Sequence, residues 1–153
     1  MKLYAWAVLF VGLGLLAGGN GVLGQAPQAP PAPPPPPPLV ELKQNYPNPF
    51  NPATTIPFSL SGELFANGHR PKVSLKIYNV LAQLVAVPIL QGTGDKLQDL
   101  ELTCTPSGSE PCSFSAYWNG NILDTDKEAS SGVYIYQLVV DGRRFTKKMI
   151  IMK

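Results

Sequence analysis

From residue 54 onward the chain alternates apolar and polar positions in short runs divided by turn formers. Ile56, Phe58 and Leu60 share one side of an extended chain, and Thr55, Pro57 and Ser59 the other. That period of two predicts a half-buried strand. Pro57 has no N–H to give a ladder, so the run is expected at a sheet edge. Val73, Leu75 and Ile77 alternate in the same way with Ser74, Lys76 and Tyr78. A turn over residues 79–83 leads into an extended run over 84–90, where Pro88 marks an edge or a break. Leu100, Leu102 and Cys104 alternate, as do Cys112, Phe114, Ala116 and Trp118, and the two runs are expected to pair as a hairpin. Trp118 is expected in the core, where an aromatic buries a large apolar area. Gly132 opens a strand over 133–140 with Tyr134, Tyr136 and Leu138 facing inward, because Gln137 lies on the other side. Asp141-Gly142 is a strong two-residue hairpin turn. The last run, 143–152, has apolar residues on both sides: Phe145, Met149 and Ile151 against Ile150 and Met152. Its inward face stays open. With turn signals every ~8–12 residues and no helical period after residue 24, the pattern predicts an all-β sandwich.

The N-terminal third lacks this pattern. Lys2 precedes an apolar and glycine run over 3–16, followed by small residues to Gly24. Residues 1–24 read as a secretory signal peptide, cleaved after Gly19 or Gly24, with Gly24 preferred. The alternative is an uncleaved anchor, but the run is shorter than the ~20 residues a spanning helix needs. No cysteine near the cleavage region suggests lipid attachment. Residues 25–41 form a linker that includes six consecutive prolines, expected as an extended polyproline II spacer. A ligand for a proline-binding groove is the other reading of that segment. The domain itself is expected over 42–153. Its opening half, to Pro52, holds three prolines and offers Tyr46 and Phe50 as plugs.

Composition adds little chemistry. The net charge of +2 on 153 residues is too small to argue for nucleic acid. Cys104 and Cys112 flank a loop of turn formers, and in an oxidising compartment they can pair and staple it. Two thiols and the distant His69 do not make a four-ligand metal site, and the C-x-x-C redox spacing is absent. His69 lies in a loop over 61–72, with no nucleophile or paired carboxylate spaced to recruit it. Gly92-Thr93-Gly94 lacks the rest of a nucleotide loop and reads as a turn. Asp124, Asp126 and Glu128 alternate in a loop over 119–131. A calcium reading lacks the correctly placed glycine and terminal glutamate, so a solvated loop is expected. No catalytic residue, metal, cofactor or small-molecule substrate is expected, and the chain is read as not an enzyme. Arg143, Arg144, Lys147 and Lys148 make the last hairpin basic. They serve either to guard an exposed edge or to dock a partner.

The segment QNYPNPFNPATTIPFSL (44–60), with VSLKIYNV (73–80), WNG (118–120), SGVYIYQL (131–138) and the terminal TKKMIIMK (146–153), resembles the type A C-terminal sorting domain of the type IX secretion system. The resemblance spans roughly the last 110 residues, the size of one immunoglobulin-like sandwich of about seven strands. The family is similar in turn to the immunoglobulin-like domain of the flagellar hook-capping protein. The resemblance assigns motif roles to Tyr46, Pro47, Asn48, Pro49, Phe50, Asn51 and Pro52. At the other end it assigns them to Gly132, Tyr134, Tyr136, Lys147, Lys148, Met149 and Lys153. The signal peptide implies passage through the Sec translocon, and the resemblance implies recognition by the type IX translocon and its sorting protease, and delivery to the cell surface or medium. The mature protein is then released or attached to surface polysaccharide. Cleavage is expected within 38–44. Ala82 stands where the family turn carries glycine, which implies a strain of order 1 kcal/mol if that position needs positive φ. The alternative reading is an immunoglobulin-like binding module on a polyproline stalk, retained in the periplasm or at the surface.

Overall fold

The computed structural model describes residues 35–106, 110–123 and 125–153. The leader, residues 25–34 of the linker, Ser107, Gly108, Ser109 and Asp124 lie outside the described residues. Strands β1 (Val40–Leu42), β2 (Thr54–Leu60), β3 (Lys72–Asn79), β4 (Leu84–Ala86), β5 (Ile89–Leu90), β6 (Leu100–Glu101), β7 (Cys112–Trp118), β8 (Gly132–Val140) and β9 (Arg143–Ile151) follow one another in the chain. They build two antiparallel sheets. Sheet A has the order β1-β2-β7-β5, and sheet B the order β4-β3-β8-β9, with β6 also paired to β3. Leaving β6 aside, these are the A-B-E-D and C′-C-F-G orders of an immunoglobulin-like sandwich.

The alternation read from the sequence sets the core. Ile56, Phe58 and Leu60 of sheet A face Val73, Leu75, Ile77, Tyr136 and Leu138 of sheet B, all buried. Tyr134 near the start of β8 donates its hydroxyl to the Ser130 carbonyl (2.9 Å), the tyrosine corner of such sandwiches. The turn settles the face of β9. Asp141 and Gly142 take positive φ, 46° and 82°, and pair Val140 with Arg143. Opposed residues share a face, so Phe145 sits across from Leu138 and Met149 across from Tyr134. Met149 and Ile151 are buried while Ile150 and Met152 are exposed.

Several expectations change. Residues 84–90 are not one strand: the chain leaves sheet B after Ala86 and enters sheet A at Ile89, crossing at Val87-Pro88. The proposed hairpin of residues 100–104 with 112–118 does not form, because β6 pairs with β3 in one sheet and β7 with β2 and β5 in the other. The Cys104–Cys112 disulfide is present. It staples the connection between the sheets rather than a hairpin end. With a sequence separation of 8, its loop-closure contribution is about 2–3 kcal/mol on the chain-entropy model. The loop after β2 contains a short 3-10 segment, Gly62–Gly68, capped by Ser61 Oγ accepting from the Glu63 amide. Ala82 does take positive φ, 58°. Asn79 organises that turn, its Oδ1 accepting from the Leu81 and Gln83 amides. Val40 and Glu41, read as the end of the linker, form with Leu42 a strand of sheet A.

Pro57 is the most informative correction. β2 lies between β1 and β7, so Pro57 is inside a sheet and not at its edge. The Lys43 amide donates to the Pro57 carbonyl (3.0 Å). The reciprocal bond, from residue 57 to the Lys43 carbonyl, cannot exist because proline has no N–H. The Tyr136 hydroxyl replaces it. Reaching across the core from β8, it donates to the Lys43 carbonyl (2.9 Å) and accepts the Asn45 amide (3.1 Å). The proline gap is therefore filled by a fully buried phenol. Burial pushes the Tyr136 pKa up to about 12, against a smaller lowering by the Asn45 hydrogen bond.

Tyr136→Phe leaves one amide and one carbonyl unpaired. It is expected to lower stability by about 2–4 kcal/mol in urea unfolding. Between pH 10.0 and about 12 the native state keeps a proton that the unfolded chain has released. This part of the stability is complete below pH 10.0 and lost as pH rises to about 12, a component that the phenylalanine variant lacks. An equal alkaline decline in both proteins contradicts the assignment.

Candidate functional site

The two halves of the motif, about a hundred residues apart, meet along the outer edge of β9. After the Lys43–Pro57 pair the register slips by one, and the next pair is Tyr46 with Thr55. Gln44 and Asn45 therefore stand opposite Ile56 alone, which is a bulge. The bulge turns the Asn45 side chain inward, where its Nδ2 donates to the Pro47 carbonyl and Thr54 Oγ1, both at 3.0 Å. The chain then swings onto sheet B, with cis bonds before Pro47, Pro49 and Pro52.

There residues 44–50 satisfy the edge of β9. Gln44 Nε2 donates to the Lys148 carbonyl (3.0 Å), and Asn48 Oδ1 accepts from the Ile150 amide (2.9 Å). The Phe50 amide donates to the Ile150 carbonyl (3.0 Å), and its carbonyl accepts from the Met152 amide (3.1 Å). Phe50 and Ile151 pair in parallel. The Phe50 ring, 2% exposed, packs edge-on against Trp118 (5.5 Å between centroids), and Trp118 packs edge-on against Tyr134 (5.8 Å). Trp118 Nε1 donates to the Asn121 carbonyl (2.8 Å). Gly120, at φ 87°, lies against Pro52 so closely that a Cβ would collide with the Pro52 carbonyl. The motif glycine after Trp118 is thus fixed by the close approach of the other motif half.

The remaining predicted residues divide into supports and surface. Tyr134, Tyr136 and Met149 are core, and Lys147 is half-buried. Pro47, Asn48, Pro49, Asn51, Pro52, Gly132 and Lys148 are exposed. Lys153 Nζ pairs with Glu128 (2.8 Å), and its amide donates to Ser131 Oγ. Only one of the two expected plugs inserts: Tyr46 is 78% exposed. Its backbone exchanges both hydrogen bonds with Thr55, an outward position, so its side chain faces out with it. The exposed β9 edge predicted from the sequence is closed from Lys148 to Met152.

His69 is not simply solvated. Its Nε2 lies 2.9 Å from Asp141 Oδ2, and Asp141 Oδ1 accepts from the Lys72 amide (2.9 Å). Burial pushes the Asp141 carboxyl up. The hydrogen bonds from His69 and Lys72, with the charges of His69 and Arg143, outweigh it and hold the group below the ordinary carboxylate range. That stabilisation is present above the ordinary carboxylate pKa and is lost as pH falls through the lowered one. Sequence order hid the pair, because 72 residues separate its members. Among the described residues no group of three or more His, Cys, Asp or Glu is placed to hold a metal ion.

No sequence-family model matches the chain. No curated protein matches it either. Among solved structures it is similar to the Pseudomonas fluorescens alkylpurine DNA glycosylase AlkC bound to DNA containing an abasic site analog. The identity is 14% and the TM-score 0.47, over 75% of this chain and 31% of that one. The chain spans about a third of that protein's length. That protein is an enzyme, so the expectation that this chain is not one is withdrawn. At this score the likeness transfers neither an activity nor a DNA partner.

Phe50→Ala removes the plug and is expected to cost about 3–5 kcal/mol. Gly120→Ala is expected to destabilise as well, through the Pro52 collision. Denaturant midpoints read both. A midpoint within error of the parent for either variant contradicts the packing of the motif halves.

Proposed function

We propose that this chain carries a sorting domain of the type IX kind, which directs a Sec-exported protein across the outer membrane to the surface or medium. One observation carries the reading. The proline-rich opening motif and the terminal strand are hydrogen-bonded into one continuous surface, so a receptor meets both as one epitope. The Cys104–Cys112 disulfide suits an oxidising, extracytoplasmic compartment. No helix among the described residues is long and apolar enough to cross a membrane.

The type IX translocon reads the outward side chains of this surface. Strand addition over the end of β9 is closed, because residues 44–50 already occupy its edge. Arg144 and Lys148 face out along β9, and charge complementarity sets the encounter. A sorting protease cuts upstream of Leu39. Residues 40–44, inside the expected cleavage window, are held in sheet A or on the β9 edge, whereas Pro36, Pro37 and Pro38 are exposed.

The test is export of a folded reporter placed behind a signal peptide and fused to residues 36–153, in a host with a working type IX system. Deleting the last strand is a poor control, since it pulls Met149 and Ile151 from the core. Arg144→Glu with Lys148→Glu keeps the fold and reverses the charge. Export of the parent fusion, with periplasmic retention of an equally stable charge-reversed fusion, is the expected result. Retention of a folded parent fusion contradicts the sorting function. Equal export of both contradicts the basic face as the recognised feature.

A further inference from the structure

We propose that the outer face of sheet A is a binding platform for a neutral polysaccharide, a site independent of the export reading. Tyr46 is the one bulky motif residue that the fold does not use. It is 78% exposed and takes no side-chain hydrogen bond or ring contact among the described residues.

Register places it in a row. Tyr46 pairs with Thr55, Thr55 with Tyr117, and Tyr117 with Ile89. Directly opposed residues project to the same side of a sheet, so all four side chains share the outward face. Thr55 and Tyr117 are half-buried, and Ile89 is exposed. The two phenols are separated by two strand spacings, roughly 9–10 Å. That is close to the length of a disaccharide unit in an extended glycan. The neighbouring row is Lys43, Pro57, Ser115 and Gln91, and the one beyond it Glu41, Ser59 and Ser113.

Two shallow hollows continue the row past Tyr117. One, of about 140 Å³, is bounded by Pro88, Tyr117 and Asn119. The other, of about 490 Å³, is bounded by Tyr117, Gln91 and Thr93. Amide and hydroxyl side chains thus flank an aromatic.

The chemistry of this face selects its occupant. Glu41 and Lys43 lie 3.9 Å apart and cancel, and the other charged residue of these rows, Lys96, stands beyond Ile89 at the far end from Tyr46, so the stretch around the two phenols complements a neutral ligand and gives a polyanion no net attraction. Thr55 separates the two aromatics in their row, and Ser115 and Gln91 lie in the row beside it, which breaks any continuous apolar strip an amphipathic segment would cover. A ligand with apolar C–H faces and a rim of hydroxyls matches both features. Its C–H faces pack on the two phenols, and its hydroxyls pair with the threonine, serine and amide groups. The flat, open face suits a chain lying across the strands rather than a buried monosaccharide.

The experiment titrates the full chain with four neutral hexasaccharides: β-1,4-glucan, β-1,3-glucan, β-1,4-mannan and β-1,4-N-acetylglucosamine. A heparin hexasaccharide serves as the polyanion. Calorimetry gives the affinity, and amide chemical shifts give the place. Saturable binding of at least one neutral hexasaccharide is expected, with shifts concentrated at Tyr46, Thr55, Tyr117 and Ile89. Tyr46→Ala is expected to weaken binding about tenfold at unchanged thermal stability, and Tyr46→Phe to retain it. Binding of none of the four overturns the proposal, as does binding of heparin alone. Binding that Tyr46→Ala and Tyr117→Ala both leave unchanged overturns it too.

Discussion

A backbone hydrogen bond that proline cannot make organises the opening of this domain. At the Lys43–Pro57 pair the ladder between β1 and β2 lacks one donor. The buried hydroxyl of Tyr136 supplies it from the opposite sheet and takes the Asn45 amide as well. From that point the chain has no further ladder to follow in the same register. It bulges at Gln44 and Asn45, turns Asn45 inward and passes from sheet A to the rim of sheet B. The phenol is therefore both a strut between the sheets and the pivot of the crossing. Its raised pKa follows from the same burial.

The crossing explains why a motif at the start of the domain and another at its end belong together. The lead-in lies along the final strand as an edge cover, and Phe50 closes the core beneath it against Trp118. An open edge on a β-sandwich invites pairing with other chains, and here a proline-rich segment of the same chain blocks part of it. Prolines suit that task, since their backbones cannot donate to a further strand. What the covered edge leaves exposed is side-chain chemistry: the cations of β9 on one sheet and Tyr46 on the other.

Much of the fold was legible in the sequence because strand periodicity reports burial directly. The runs at 56–60, 73–77 and 134–138 buried the side they predicted, and Asp141-Gly142 made the expected turn. The proximity of Cys104 and Cys112 across turn formers was readable as a disulfide. Other features depend on partners distant in sequence. Pro57 looked like an edge marker because nothing local reveals that Tyr136 can stand in for its missing N–H. The pairing of residues 100–104 with 112–118 looked natural because neighbours in sequence usually pair, yet the two runs enter different sheets. Residues 84–90 read as one strand because a chain changing sheets keeps an extended backbone throughout. The division of labour between Tyr46 and Phe50 was also hidden, since the bulge at Asn45 decides which aromatic turns inward. The His69–Asp141 pair had no local signal.

Amide hydrogen exchange tests the clasp between the lead-in and the terminal strand most directly. Asn48→Ala removes the acceptor of the Ile150 amide while leaving Phe50 in the core. In the parent domain the amides of Phe50, Ile150 and Met152 are expected to exchange slowly. In the variant, Ile150 is expected to exchange at least tenfold faster, with the amides shared by β3 and β8 unchanged. Fast exchange of Ile150 and Met152 in the parent, at the rate of an open strand edge, contradicts the clasp and the single-epitope reading built on it.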